Sequence, residues 1–261
     1  MDPEPRSSSP AASCLRAVIW DFDGTLVDSR HRNLAVTRTI LEHITGRPAD
    51  AIVPLRSLEL YDAATRRSPN WRELYVRELG LSLEDTERAG QMWVQAQFDD
   101  PTPAVFFAGI HDVLADLDQI PHAVVSQNSA PTIAKALDSG GVRDSFEVIV
   151  GHESVARDKL KPHPEAMLLC LELLALLGEA ESYGRVLFVG DHEVDTTCAL
   201  RTNEWLEQHQ STLRVESVGA IYGGGRDHDS WKAKPMHTAH SPADILRVAR
   251  GIGFPTSASF S

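Results

Sequence analysis

Residues 17–29 read AVIWDFDGTLVDS, an apolar run that stops abruptly at two aspartates, a glycine and a threonine. The run LRAVIW (15–20) is too short for a helix and apolar enough for burial on both faces, which predicts a strand of a parallel sheet. HAVVS (122–126), EVIVG (147–151), RVLFVG (185–190) and RVESVGAIY (214–222) have the same character. Segments of helical period follow at 130–138, 164–177, 195–208 and 242–248. Strand then helix, repeated, predicts an α/β fold: a Rossmann-like three-layer core with a mostly parallel sheet between helices.

One interval breaks that rhythm. Between His31 and Phe107 no strand is convincing, but apolar residues recur at helical spacing in Leu34, Ile40, Leu41 and Ile44, and again over 74–81 and 92–98. This predicts a helical cap domain inserted after the first strand. The expected organisation is a loose tail over 1–14, a core domain over 15–30 and 108–251, the cap over 31–107, and a second tail over 252–261. The 261 residues amount to about 1.7 domains of ordinary size, which suits one large unit with a smaller companion.

Composition narrows the partners. The net charge of −12, with basic residues scattered, disfavours nucleic acid and anionic membrane surfaces. No apolar run approaches a membrane span, and the first residues, MDPEPRSSSPAAS, lack the basic and apolar regions of a secretion signal. Cys14, Cys170 and Cys198 are odd in number and form no CxxC pair, so neither a disulfide framework nor a zinc site is indicated. A cytoplasmic protein, monomer or homodimer, is expected.

Ligands of open parallel sheets bind outside the carboxyl ends of the strands. There the chain places Asp21-Phe22-Asp23-Gly24-Thr25 after the first strand and Ser126-Gln127-Asn128 after the second. Lys161 of KLKPHPE follows the third, opening a helix whose first turn would hold Pro162 or Pro164. Asp191, with Asp195 four residues on, follows the fourth. Each piece alone has a plain structural reading. DxDGT favours a turn, Ser126 would cap a helix, Lys161 would be a solvated charge, and Asp191 and Asp195 would suit a helix N-terminus. All of them in order, each at a strand's end, point to a site.

These segments resemble the motifs of the haloacid dehalogenase-like (HAD) superfamily: AVIWDFDGTLVDS the first, VVSQNS the second, KLKPHPE the third and VGDHEVDTTCA the fourth. The helical insertion resembles the C1-type cap of the phosphoglycolate phosphatase and β-phosphoglucomutase branch. The resemblance implies Asp21 as nucleophile and Asp23 as general acid and base. It implies Ser126, Lys161 and Thr25 on the substrate phosphate. Asp21, Asp191, the backbone carbonyl of Asp23 and the supporting Asp195 would hold Mg2+. Two departures stand out. Many relatives read asparagine directly after the serine or threonine of the second motif, whereas Gln127 intervenes here and leaves Asn128 unassigned. His192 replaces a common serine in the fourth motif. Magnesium prefers oxygen ligands, so His192 is not assigned to the metal.

Charge arithmetic agrees with the implied cation. Asp21, Asp191 and a phosphate dianion carry roughly −4, and magnesium with Lys161 returns roughly +3, leaving the rest to helix N-termini and loop N–H groups. The implied activity is phosphoric monoester hydrolysis of a small phosphorylated metabolite through an aspartyl phosphate. The motifs alone leave open a sugar-phosphate isomerase of the β-phosphoglucomutase kind and a catalytically idle binding protein. The glycine-rich YGGGRDHD (222–229) lacks both G-K-[ST] and G-x-G-x-x-G and reads as a turn. His228, His237 and His240 read as surface residues, and Arg56, Arg66, Arg67 and Arg72 of the cap as solvated cations.

Overall fold

The computed structural model describes residues 14–68, 70–178, 183–223 and 228–253. Of the expected tails only Cys14, Ile252 and Gly253 fall within this range, and positions 224–227 of the glycine-rich stretch also lie outside it.

The chain runs β1 (Leu15–Trp20), β2 (Val27–Asp28), α1 (Arg30–Thr45), α2 (Leu58–Arg67), α3 (Trp71–Glu73), α4 (Leu83–Asp99), β3 (Val105–Phe106), α5 (Ile110–Asp116), β4 (His122–Val125), α6 (Ala130–Ser139) and β5 (Phe146–Val150). It continues through α7 (Glu165–Leu173), β6 (Tyr183–Gly190), α8 (Glu193–Gln208), β7 (Thr212–Ala220), β8 (His237–Ala239) and α9 (Pro242–Ile252). Among the described residues, six strands form one sheet in the order β5-β4-β1-β6-β7-β8, every pairing parallel. Side-chain alternation along the strands builds two apolar layers. Val18, Trp20, Val124, Leu187 and Val189 meet α5, α6 and α9, whereas Ala17, Ile19, Val125, Val186 and Phe188 meet α7 and α8. Cys170 and Cys198 are buried in the second layer. The α/β fold expected from the strand-helix rhythm is the one observed.

Three local expectations change. The helix predicted over 164–177 ends at Leu173, because Ala175 turns left-handed at φ 54° and Leu176 folds back into the core. The helix predicted to stop at 248 continues to Ile252. The short strands β2, β3 and β8 were not expected, being too brief to show a period.

The stretch between β2 and β3 is helical, as expected. Ser57, Asn70 and Ser82 cap α2, α3 and α4 by accepting backbone N–H bonds from Leu60, Glu73 and Asp85. After α3 the chain passes through one π-helical turn, Leu74–Glu78. Val36, Ile40, Leu41, Leu55, Leu74 and Leu79 form a third apolar cluster, with Leu34, Ile44, Met92 and Trp93 packed against it. It shares no residue with the sheet clusters. Both chain crossings between sheet and helices are tied together, since β2 pairs antiparallel with β3 through Val27↔Phe106 and Asp28↔Val105. No helix among the described residues is long and apolar enough to cross a membrane.

Candidate active site

The chain leaves β1 for β4 and β5 on one side and returns to β6 and β7 on the other, so the crevice at the end of β1 is the topological switch point. Asp21 sits there, its N–H donating to Val189 O of β6 at 2.8 Å. Ser126, buried at the end of β4, is fixed by its N–H to Val150 O of β5 at 3.0 Å. Lys161 lies in the turn before α7, whose N-cap position is taken by Pro164. Asp191 follows β6 and Asp195 stands in the first turn of α8.

The sheet brings these residues together. Lys161 Nζ donates to Asp21 Oδ1 at 2.8 Å, to Asp195 Oδ1 at 2.6 Å and to Val125 O at 3.2 Å, which uses all three ammonium protons. The bond to Val125 places the lysine beside Ser126. Carboxylate oxygens of Asp21, Asp191 and Asp195 lie within 4.8 Å of one another. Burial pulls the Lys161 ammonium toward neutrality, but Asp195 and Asp21 outweigh it, so its pKa is raised. Asp191 is raised well above the usual carboxylate range by burial and by the charges of Asp21 and Asp195. Asp195 is raised as well, chiefly by burial, with Lys161 pulling the other way.

One ammonium cannot neutralise three clustered carboxylates, of which Asp21 and Asp195 are buried and Asp191 half-buried. The remaining negative charge, carried by oxygen donors only, fits a hard divalent cation such as magnesium. Neighbouring backbone is shaped around these oxygens. Gly24 holds φ +82°, and a Cβ there would sit inside the Asp191 carboxylate, while one on Gly190 would meet Asp195. The fully buried Thr25 turns its hydroxyl to Asp191 Oδ1 at 3.5 Å.

Asp23 stands apart from the carboxylate cluster. Its Oδ2 accepts from Asn128 Nδ2 at 2.9 Å, while Oδ1 is buried and has no hydrogen-bond partner among the described residues. Burial first, and the charge of Asp21 second, raise its pKa; the hydrogen bond from Asn128, the nearby Ser29 hydroxyl and the charge of Arg32 pull it back. A carboxyl whose pKa is raised beside a carboxylate is the arrangement that acid catalysis uses.

Sequence reasoning did not assign Asn128, Ser29 or Tyr222. Tyr222 donates its hydroxyl to Thr25 O at 2.9 Å and sets its ring edge-on to Phe107 at 5.3 Å. The departure at His192 is structural. Its Nδ1 accepts the Val194 N–H at 3.1 Å, its own N–H donates to Asp195 Oδ2 at 3.2 Å, and its ring faces Trp231. Three of the four cap arginines are engaged locally: Arg67 with Glu78, Arg72 with Glu87, and Arg56 with Asp50 O. His237 is more than a surface residue, since Nε2 lies 2.7 Å from Oε2 of the buried Glu216.

The sequence pattern of the haloacid dehalogenase-like hydrolases matches residues 18–204. A phosphoglycolate phosphatase of Synechococcus elongatus is 33% identical over 239 residues, covering 90% of this chain and 97% of that protein. Another from Pectobacterium atrosepticum is 27% identical over 238 residues, covering 90% of this chain and 92% of that protein. Among solved structures, a HAD-superfamily hydrolase of subfamily IA, variant 1, from Geobacter sulfurreducens superposes with a TM-score of 0.60 at 24% identity, covering 93% of this chain and all of that one.

Proposed function

The chain is a phosphatase of the haloacid dehalogenase-like hydrolase family, and from that premise we propose that it hydrolyses a small phosphorylated metabolite through an aspartyl phosphate on Asp21. The observation that carries this reading is the buried Lys161 bridging Asp21 and Asp195 beside the half-buried Asp191, at the switch point of the sheet.

Asp21, Asp191 and the Asp23 carbonyl would hold magnesium, with Asp195 in support, and the ion would supply the positive charge that lets a carboxylate approach a phosphate. Lys161 holds Asp21 in place and offsets further negative charge. A carboxylate oxygen of Asp21 attacks phosphorus in line, the ester P–O bond breaks, and Asp23 gives its proton to the departing oxygen. Water then attacks the phosphorus of the aspartyl phosphate. Asp23 takes a proton from that water, the P–O bond to Asp21 breaks, and inorganic phosphate leaves. Ser126 and Thr25 complete the phosphate site. Residues 15–30 and 108–251 serve as catalytic core and 31–107 as the cap that screens the intermediate from bulk water. Relatives that bear the name phosphoglycolate phosphatase make phosphoglycolate the first substrate to try. Buried Cys170 and Cys198 suit a reducing compartment such as the cytoplasm.

The test is free phosphate released from a panel of phosphomonoesters, phosphoglycolate included, with magnesium and with chelator. Turnover should need the metal, and Asp21→Asn should lower it by at least about a thousandfold while leaving the far-UV spectrum unchanged. Near-normal turnover in the Asp21→Asn variant, or in excess chelator, would overturn the reading.

A further inference from the structure

We propose that Asn128 is a positioning residue that decides which oxygen of Asp23 carries the proton delivered to the leaving group; the proposal rests on the acid–base role of Asp23 above. The argument is one of donors and acceptors. Asn128 Oδ1 accepts the Ser129 N–H at 2.7 Å, and a backbone N–H can only donate, so the amide has one orientation. Its NH2 therefore faces Asp23, 2.9 Å from Oδ2. An amide nitrogen offers only protons, so Oδ2 must present a lone pair to it. When Asp23 is neutral, its proton is left to Oδ1.

Oδ1 is the buried oxygen with no hydrogen-bond partner among the described residues. Buried acceptors without partners are rare. This one is what a group kept ready for an incoming leaving oxygen should look like. Asn128 is itself rigidly placed. It is buried, its N–H donates to Ser126 Oγ at 3.3 Å, and its carbonyl accepts the His152 N–H at 3.0 Å. The loop after β4 thus carries a residue for the phosphate, Ser126, and two positions on, one that orients the acid.

A misplaced acid harms substrates whose leaving group needs a proton and spares those whose leaving group departs as a stable anion. The experiment measures kcat/KM, which reports the first half-reaction, for alkyl phosphates and for p-nitrophenyl phosphate, in the wild type, Asn128→Ala and Asn128→Asp. General acids contribute about a hundredfold or more, so the alkyl ester should lose at least about thirtyfold more than the p-nitrophenyl ester in both variants. Asn128→Asp is nearly isosteric and can keep the bond from Ser129, so its agreement with Asn128→Ala separates the lost donor from a folding defect. Equal loss on both esters in the two variants would overturn the role of Asn128 while the enzyme remains a phosphatase. A wild type that releases phosphate from no ester would overturn the underlying reading instead.

Discussion

At the scale of single residues, His122 shows how a hydrogen-bond pair fixes a protonation state. Trp20 Nε1 donates to His122 Nδ1 at 3.0 Å, so Nδ1 must be the bare nitrogen and Nε2–H is left to donate to Leu117 O, 3.2 Å away. Burial pushes the imidazole pKa from 6.5 down to about 4, only partly countered by the bond to Leu117. In the unfolded chain the ring protonates near pH 6.5, whereas in the folded chain it resists until about pH 4. Above pH 6.5 the two states agree. As pH falls through this window the unfolded state gains the proton first, and stability is lost. The drop from 6.5 to about 4 corresponds to about 3 kcal/mol at its limit. Urea unfolding at pH 7.5 and pH 5 should show His122→Gln less stable throughout but with a smaller loss between the two pH values than the wild type. Identical losses would mean that His122 takes no part.

At the scale of elements, the loop between β1 and β2 is braced from outside by the turn that follows β7. Tyr222 donates to Thr25 O, Gly223 packs so closely on Gly24 that a Cβ would overlap its carbonyl, and Phe107, against which Tyr222 rests, donates its N–H to Leu26 O at 3.1 Å. Tyr222→Phe keeps the ring but strands a carbonyl in a fully buried residue, which should cost about 1–3 kcal/mol. It should also lower kcat/KM several-fold through a looser loop. Chemical denaturation and phosphate release on one preparation check both effects, and an unchanged variant would remove Tyr222 from the brace. This brace also marks how far the sequence could be read. Strands β1, β4, β5, β6 and β7 were legible because runs rich in Val and Ile announce burial. Asp21, Asp23, Ser126 and Asp191 could be singled out as candidates because each stands just past such a run, and Lys161 only through the KLKPHPE segment, since it lies eleven residues beyond β5. Tyr222 and Asn128 were not, because their meaning lies in partners 197 and 105 positions away. The ribbon of β2 and β3 was hidden because two residues carry no periodicity.

At the scale of the whole molecule, three apolar clusters among the described residues divide the work. Two sandwich the sheet and hold the strand ends that carry the site, and the third belongs wholly to α1, α2, α4 and the segments between them. Among the described residues, the backbone passes from one part to the other through the paired ribbon of β2 and β3. Such an arrangement should let the helical unit open without melting the sheet, since regions with separate cores open with separate free energies. Leu41 is fully buried in the third cluster and belongs to neither of the others. Leu41→Ala should therefore remove about 2–5 kcal/mol from the helical unit alone. Native-state hydrogen exchange is the direct measurement: amides of α1 and α4 should exchange about thirtyfold faster or more, 1.4 kcal/mol being tenfold, while those of β1, β4 and β6 keep their wild-type protection. A parallel rise across β1 and β6 would instead mean that the sheet and the helical unit unfold as one cooperative body, and that the ribbon couples them rather than separating them.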